Sequence, residues 1–353
     1  MERTADLELV AWRARRQPHV QTSSRLFVGT LLACALVSAL FATSLPLQVS
    51  IVTVFLFAGP HNWFELRYFM QRLPVRFGKS RNFFLTAFGG IFLLTVSFIS
   101  LPLWYNAATS RGWNWPNILA GWNSLLILWV GVLVWMRGKQ KLRRDWSWAI
   151  PFAFALISVN WLAPQFFSLA IVYLHPLVAL WFLDRHLRRT RPEWVRSYHH
   201  CLYLLPVLLG AMVWYLSQET VLPDDNGLFW RITQHAGAEL LPGLSPHMLV
   251  AVHLFLEILH YGVWLFALPL IAANPLETKH KPNRAIWDVK SVPLARHPRG
   301  FPRLVTLALL LGAIVVVILW FGFSMDYSTT RDIYFTLAIA HVLAEAPFLL
   351  RMI

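Results

Sequence analysis

Charge is what this chain has least of. Only 14% of its 353 residues are Asp, Glu, Lys or Arg, 57% are hydrophobic, and the mean hydropathy is +0.52. So few charged groups cannot solvate a globule of this size, which excludes a soluble protein and leaves a polytopic membrane protein. Cysteine is nearly absent too. Cys34 and Cys201 stand far apart with no C-x-x-C pair, so a disulfide framework, a thiolate zinc site and dithiol redox chemistry fall away. There is no G-x-x-x-x-G-K-[ST], no Rossmann glycine pattern and no paired Asp-rich motif, which argues against ATP-driven transport and prenyl transfer. No internal repeat or low-complexity stretch is visible.

What is present is a series of apolar runs. They place ten spans near 25–44, 47–66, 83–104, 117–136, 147–162, 166–185, 200–217, 246–271, 303–324 and 332–350. The fifth is interrupted by Pro151, Asn160 and Pro164 and is expected to be short or broken. The net charge of +14 does not point to nucleic acid, because the basic residues sit almost wholly in alternate loops. Counted that way, 28 of the 31 Lys and Arg lie on one face, leaving Arg111, Arg231 and Arg331 on the other. The positive face is the cytoplasmic one. The expected fold is therefore an all-α polytopic transmembrane helix bundle of about ten spans with both termini cytoplasmic, in the bacterial inner membrane. Residues 1–24 read as a cytoplasmic tail, with a cleaved signal as the alternative, and 25–353 as one transmembrane domain. Its outer loop 218–245 carries a turn at Pro223–Gly227 and a stretch, Gly227–Gly237, able to form a surface helix. The basic inner loop 273–302 is expected to lie against anionic lipid headgroups.

Three times a His and a Glu stand four residues apart inside an apolar run: His61/Glu65, His253/Glu257 and His341/Glu345. In a helix that spacing puts both side chains on one face, one turn apart. His260 extends the middle pair into an i, i+4, i+7 stripe. Ionisable groups in hydrocarbon are costly, face the bundle interior and mark functional sites by default. Under the ten-span topology His61, His175, His260 and His341 fall in one layer between the midplane and the cytoplasmic third. Neutral imidazole is the commonest metal ligand, and a carboxylate one turn away either ligates or orients the ring. The candidate metal ligands are His61, His175, His253, His260 and His341, and Glu65, Glu257 and Glu345 are candidate proton donors, orienters or further ligands. Iron suits such a set, and zinc accepts the same donors. His175 alone reads equally well as a core histidine bonded to a neighbour. His199 and His200 read as interfacial, and His235, His247, His280 and His297 as surface residues.

Aromatic residues flank these positions, as at Trp63-Phe64, Trp181-Phe182, Tyr261 and Trp264-Leu265-Phe266. Most of them simply pack a bundle; any that line a cavity suit a long apolar ligand entering from the bilayer. Gly59-Pro60-His61 in an early span, a His-bearing late span and a terminal span around His341 together resemble the Brp/Blh-type membrane β-carotene dioxygenases. Asn62 and Ala340 stand where that family carries Gly and Pro. The resemblance implies an all-helical enzyme that cleaves β-carotene to retinal with histidine-held iron and dioxygen. It makes His61, His260 and His341 ligands, with His253 or His175 as a fourth. The eight-histidine boxes of fatty-acid desaturases are absent. Two other readings stay open: a proton- or ion-coupled transporter using the same His/Glu pairs, with Pro60 and Pro176 breaking helices at the site, and a haem- or pigment-binding subunit.

Overall fold

Proline marks where many of these helices begin. In the computed structural model, which describes residues 24–140, 145–217, 227–272, 289, 292–298 and 300–353, the chain opens with α1 (Ser24–Ser44) and α2 (Pro46–Arg72). Next come α3 (Arg81–Ile99), α4 (Leu101–Thr109), α5 (Trp115–Gln140), α6 (Ala149–Leu162), α7 (Pro164–Thr190) and α8 (Val195–Leu216). The last six are α9 (Gly227–His235), α10 (Pro246–Gly262), α11 (Leu268–Ala272), α12 (Pro293–Arg296), α13 (Pro302–Met325) and α14 (Tyr327–Met352). Pro46, Pro102, Pro164, Pro246, Pro293 and Pro302 each sit in a first turn, where the missing N–H breaks no hydrogen bond. No strand occurs among the described residues. The tail before residue 24, the turn at 223–226 and most of the inner loop 273–302 lie outside the described residues.

The chain is an all-α helix bundle and an integral membrane protein. Eight of its helices (α1, α3, α5, α7, α8, α10, α13 and α14) are long and apolar enough to cross a bilayer. The 27-residue α2 has the length but not the apolarity, since its C-terminal half carries His61, Asn62, Glu65, Arg67 and Arg72. The 14-residue α6 is about 21 Å long, short of a hydrocarbon core of about 30 Å. Within the run 83–104 the structure breaks the helix at Ser100, because Pro102 cannot donate to the carbonyl four residues back. Asn160 does not break α6. It and Asn123 of α5 are fully buried and bond each other (Asn123 Nδ2 to Asn160 Oδ1, 2.9 Å), while Asn160 Nδ2 donates to the Ala120 carbonyl at 2.9 Å. Asn123 Nδ2 also reaches the Pro164 carbonyl at 3.1 Å, so this pair pins α5 to α6 and to the start of α7. α3 comes close to α5 because Gly90 has no side chain. A Cβ there would fall 1.8 Å from Trp129 Nε1, which donates instead to the Thr86 carbonyl.

α10 is the central helix. Of its apolar stretch 72% is buried, against 17% to 44% for the other seven candidate spans. It packs against α2, α7 and α8, and beyond Gly262 it passes through a π-helical turn, Val263–Ala267, into α11. Pro269 follows in α11, and the Leu268 N–H reaches back five residues to the Val263 carbonyl. At the other end of the bundle Asp326 caps α14. Its Oδ1 accepts from the Thr329 N–H at 3.0 Å, and the Thr329 hydroxyl and N–H hold this carboxyl below the usual range. Arginines close the C-terminal ends, where a cation complements the helix dipole. Arg137 and Arg189 donate to the carbonyls of Leu350, Arg351 and Met352, and Arg351 donates to that of Arg72. In the described part of the inner loop, Val292 is fully buried and packs with Leu294 and Ala295 against Trp63, Met70 and Val305. The apolar residues of that part therefore pack on protein.

Candidate metal centre

Four helices each bring one histidine to a common point: His61 from α2, His175 from α7, His260 from α10 and His341 from α14. Glu65 and Glu345 join them from one turn further along α2 and α14, as the four-residue spacing requires. Donor atoms of His61, Glu65, His260 and His341 all lie within 4.8 Å of one another, and so do those of His175, His260 and Glu345. Around a first-row ion with bonds of about 2.1 Å, opposite ligand atoms stand about 4.2 Å apart and adjacent ones about 3.0–3.4 Å. The His175 and His341 Nε2 atoms face each other at 3.2 Å, an adjacent-ligand distance. His175 Nδ1 lies 3.0 Å from Glu345 Oε2.

The hydrogen bonding of these atoms tests whether a cation fits. Among the described residues, His61 Nε2, both Glu65 oxygens, both His260 nitrogens, His341 Nδ1 and Glu345 Oε1 are buried without a hydrogen-bond partner. The carbonyls of Pro176 and Ala338 approach His260 and His341 without hydrogen-bond geometry. Leaving one such atom unpaired costs about 1–3 kcal/mol, so seven in one place are hard to accommodate unless something else satisfies them. A cation takes the lone pairs among them, one from each neutral imidazole; an apolar ligand takes none. His61 is already oriented for this. Its Nδ1 lies 3.0 Å from the Phe57 carbonyl, an acceptor only, so the proton belongs on Nδ1 and the Nε2 lone pair faces the cluster.

His253 and Glu257 stand outside both groups. They line the same cavity as His260, two turns and one turn further out respectively. Glu257 Oε1 accepts from the Tyr261 hydroxyl at 2.8 Å. His253 lies between Tyr173 and His235, with ring centroids 5.7 Å and 5.2 Å away. His235 is thus a cavity residue and not a surface one. The reason is α9, whose Leu228, Ile232 and Ala236 turn inward and carry His235 with them. Its i+7 spacing from Leu228 held that signal. Nothing in the sequence flagged Tyr334, buried at the same level beside Tyr261 and Asn62. His247 lies 2.9 Å from the Thr43 carbonyl at the outer end, and at the inner edge His199 pairs with Asp184 at 2.6 Å.

Each ligand-bearing helix also places an aromatic ring one or two turns below its histidine: Phe69, Phe182, Trp264 and Phe348. Phe69 and Phe348 stack with centroids 4.3 Å apart and an interplanar angle of 3°. Trp264 packs on Phe69 and Phe182 at 5.8 Å and 5.4 Å. They form a closed floor under the cluster. Above and beside it the protein is open. A cavity of about 300 Å³ holds His61, His175, His260 and His341 and extends outward past Glu257 and His253 to His235. A second, of about 510 Å³, runs between α5, α6, α7 and α14, is apolar apart from His175 and Glu345, and shares Ile171, His175, Ile339 and Val342 with the first.

The fold and this cluster define an integral membrane helix bundle with a buried His/Glu centre able to hold a metal. Set against protein-family models, curated proteins and solved structures, the chain matches none of them. The likeness to the carotene-cleaving enzymes rests on the sequence segments alone.

Proposed function

We propose that this protein is a membrane metalloenzyme: an iron-dependent oxygenase of the bacterial inner membrane, acting on an apolar, carotenoid- or lipid-like substrate. The observation that carries the reading is the convergence of four histidines and two glutamates, seven of whose buried donor atoms have no hydrogen-bond partner among the described residues. In this reading α2 and α6 join the eight long apolar helices to give ten spans, with both termini cytoplasmic and anionic lipids at the basic inner face. Four imidazoles with supporting carboxylates suit iron, which can keep a coordination position open for dioxygen, and zinc is the competitor for the same donors. Iron held there supplies oxygenase chemistry, with dioxygen as co-substrate.

The chain's own residues do the rest. His260 belongs to both donor groups, and a neutral imidazole offers one lone pair, so the groups describe one ligand shell and one ion per chain. Glu65 and Glu345 balance the charge of that ion or take its remaining positions. Glu257 and Tyr261 hold a proton at the outer edge, with the Tyr261 ring 4.4 Å from that of His61. The aromatic floor excludes water from the inner side, and the apolar cavity receives the substrate from the bilayer.

Two observations set this above a transporter. Packed aromatic rings lie between the cluster and the inner face, and α2 and α7 run unbroken through Pro60 and Pro176, whereas ion-coupled carriers use broken helices at the site. Against an axial haem site, four imidazoles with centroids 4.7–6.3 Å apart leave no slab for a macrocycle. Oxygen consumption by iron-loaded protein supplied with a polyene or lipid in detergent tests the activity. Ile171→Trp, where the two cavities meet, is expected to cut that turnover at least tenfold at unchanged iron content. An iron-replete wild type that consumes no oxygen with any apolar substrate would sink the oxygenase reading.

A further inference from the structure

Arginine is rare on the outer face of this protein, yet two of the three basic residues there meet at one point. Arg231 of α9 and Arg331 of α14 line a third cavity, of about 320 Å³, together with Gln234 and Asp332. It shares His235, Phe335 and Thr336 with the cavity of the His/Glu cluster. The three cavities therefore follow one another from the outer surface, past the metal centre, into the apolar space between α5, α6, α7 and α14. Polarity falls along that route from two guanidinium groups to aliphatic side chains.

Arg331 is the unusual residue. It is 5% exposed, its guanidinium lies 4.6 Å above the Phe335 ring, and its Nε is buried without a hydrogen-bond partner among the described residues. The second turn of a helix is the wrong end for a cation, because the dipole is positive there. Asp332 does not compensate fully: it is paired to Arg231, and Arg331 reaches it only at 3.9 Å. The other titratable groups around Arg331 are Tyr327, Glu257, His235 and His253. Glu257 is engaged by Tyr261. The Tyr327 hydroxyl is itself buried and unpartnered. The Arg331 guanidinium, with its Nε lacking an acceptor among the described residues, thus stands at the mouth of a passage that ends in hydrocarbon.

We infer that the ligand of this passage is a long-chain amphipath with a single anionic headgroup, bound by Arg331 while its chain runs past the His/Glu cluster into the apolar cavity. One guanidinium matches one carboxylate or phosphate in paired, charge-assisted hydrogen bonds. Ten residues of α14 separate Arg331 from His341, roughly 15 Å along the helix, so the carbon presented to the cluster lies well down the chain and not beside the headgroup. This names the substrate class of the oxygenase and rests on that reading for the chemistry, but the headgroup site can be tested without it.

The test is fluorescence binding of cis-parinaric acid and of its methyl ester to the detergent-purified full chain, with metal content measured on the same samples. Wild type is expected to bind the acid at least tenfold more tightly than the ester. Arg331→Gln removes that preference with ester binding unchanged, and Arg331→Lys keeps part of it. Displacement by dodecanoate or by dodecyl phosphate then tells a free fatty acid from a phosphate-headed lipid. Equal binding of acid and ester by wild type overturns the proposal whether or not the variant folds. So does equal loss of both ligands in a well-folded Arg331→Gln protein. Metal-free wild type that still prefers the acid upholds the headgroup site and sinks the oxygenase reading.

Discussion

Replacing Glu65 by leucine is expected to lower the stability of the metal-loaded protein and to raise that of the metal-free protein. Glu65 is 1% exposed, both its oxygens lack a protein partner, and Glu345 is a like-charged neighbour. In a bundle with no cation, a buried carboxylate so placed is a burden. Exchanging it for a hydrophobe of similar size is then neutral or stabilising, by about 1–4 kcal/mol. With an ion in the cluster the same carboxylate is a ligand, and its loss weakens an interaction that exists only in the folded state. A ligand present at a thousand times its dissociation constant stabilises by about 4 kcal/mol. At about 2–4 °C per kcal/mol, and net of the gain from removing the carboxylate, Glu65→Leu lowers the thermal midpoint by a few degrees in iron-replete buffer. Thermal unfolding followed with and without chelator reads both signs. A variant more stable than wild type in both buffers would mean that no cation sits beside Glu65.

The second large effect is expected at the floor. Phe348→Ala removes a ring that is 4% exposed and stacked face to face on Phe69, a change of about 3–5 kcal/mol in a packed core. Its functional consequence is larger. The ring lies two turns below His341, so its loss opens a water path from the cluster to the inner face. Extraction of iron by a water-soluble chelator is expected to be at least tenfold faster than from wild type, measured below the variant's unfolding temperature. An unchanged extraction rate in a destabilised variant would show that these four rings do not seal the site.

Most of the helices were legible because membrane spans carry a strong signal. Nine of the ten expected runs coincide with single helices, or with the continuous α10–α11 unit, to within a few residues. The exception, 83–104, failed at Pro102, where apolarity persists across a backbone break. Asn160 looked like an interruption because a buried amide and an exposed one are the same letter; only the facing Asn123 gives it a partner. His/Glu spacing brought out His61, Glu65, His260, His341 and Glu345, since one turn of helix fixes which residues share a face. Spacing within α10 could not separate His260 from His253 and Glu257, because all three share that face and only depth against α2, α7 and α14 distinguishes them. His235 was legible only in its i+7 spacing from Leu228, and Arg331 was out of reach for a related reason. Each is made important by a neighbour distant in sequence, His253 for one and the outer cavity for the other.

The central claim is that the four histidines hold a metal, and its most direct test is elemental analysis of chelator-free, detergent-purified wild type beside His260→Ala. His260 touches both donor groups, so the expected result is close to one iron per chain in wild type and less than a tenth of that in a variant that still elutes as a folded species. A wild type without stoichiometric metal, or a His260→Ala protein that retains it, would contradict the account.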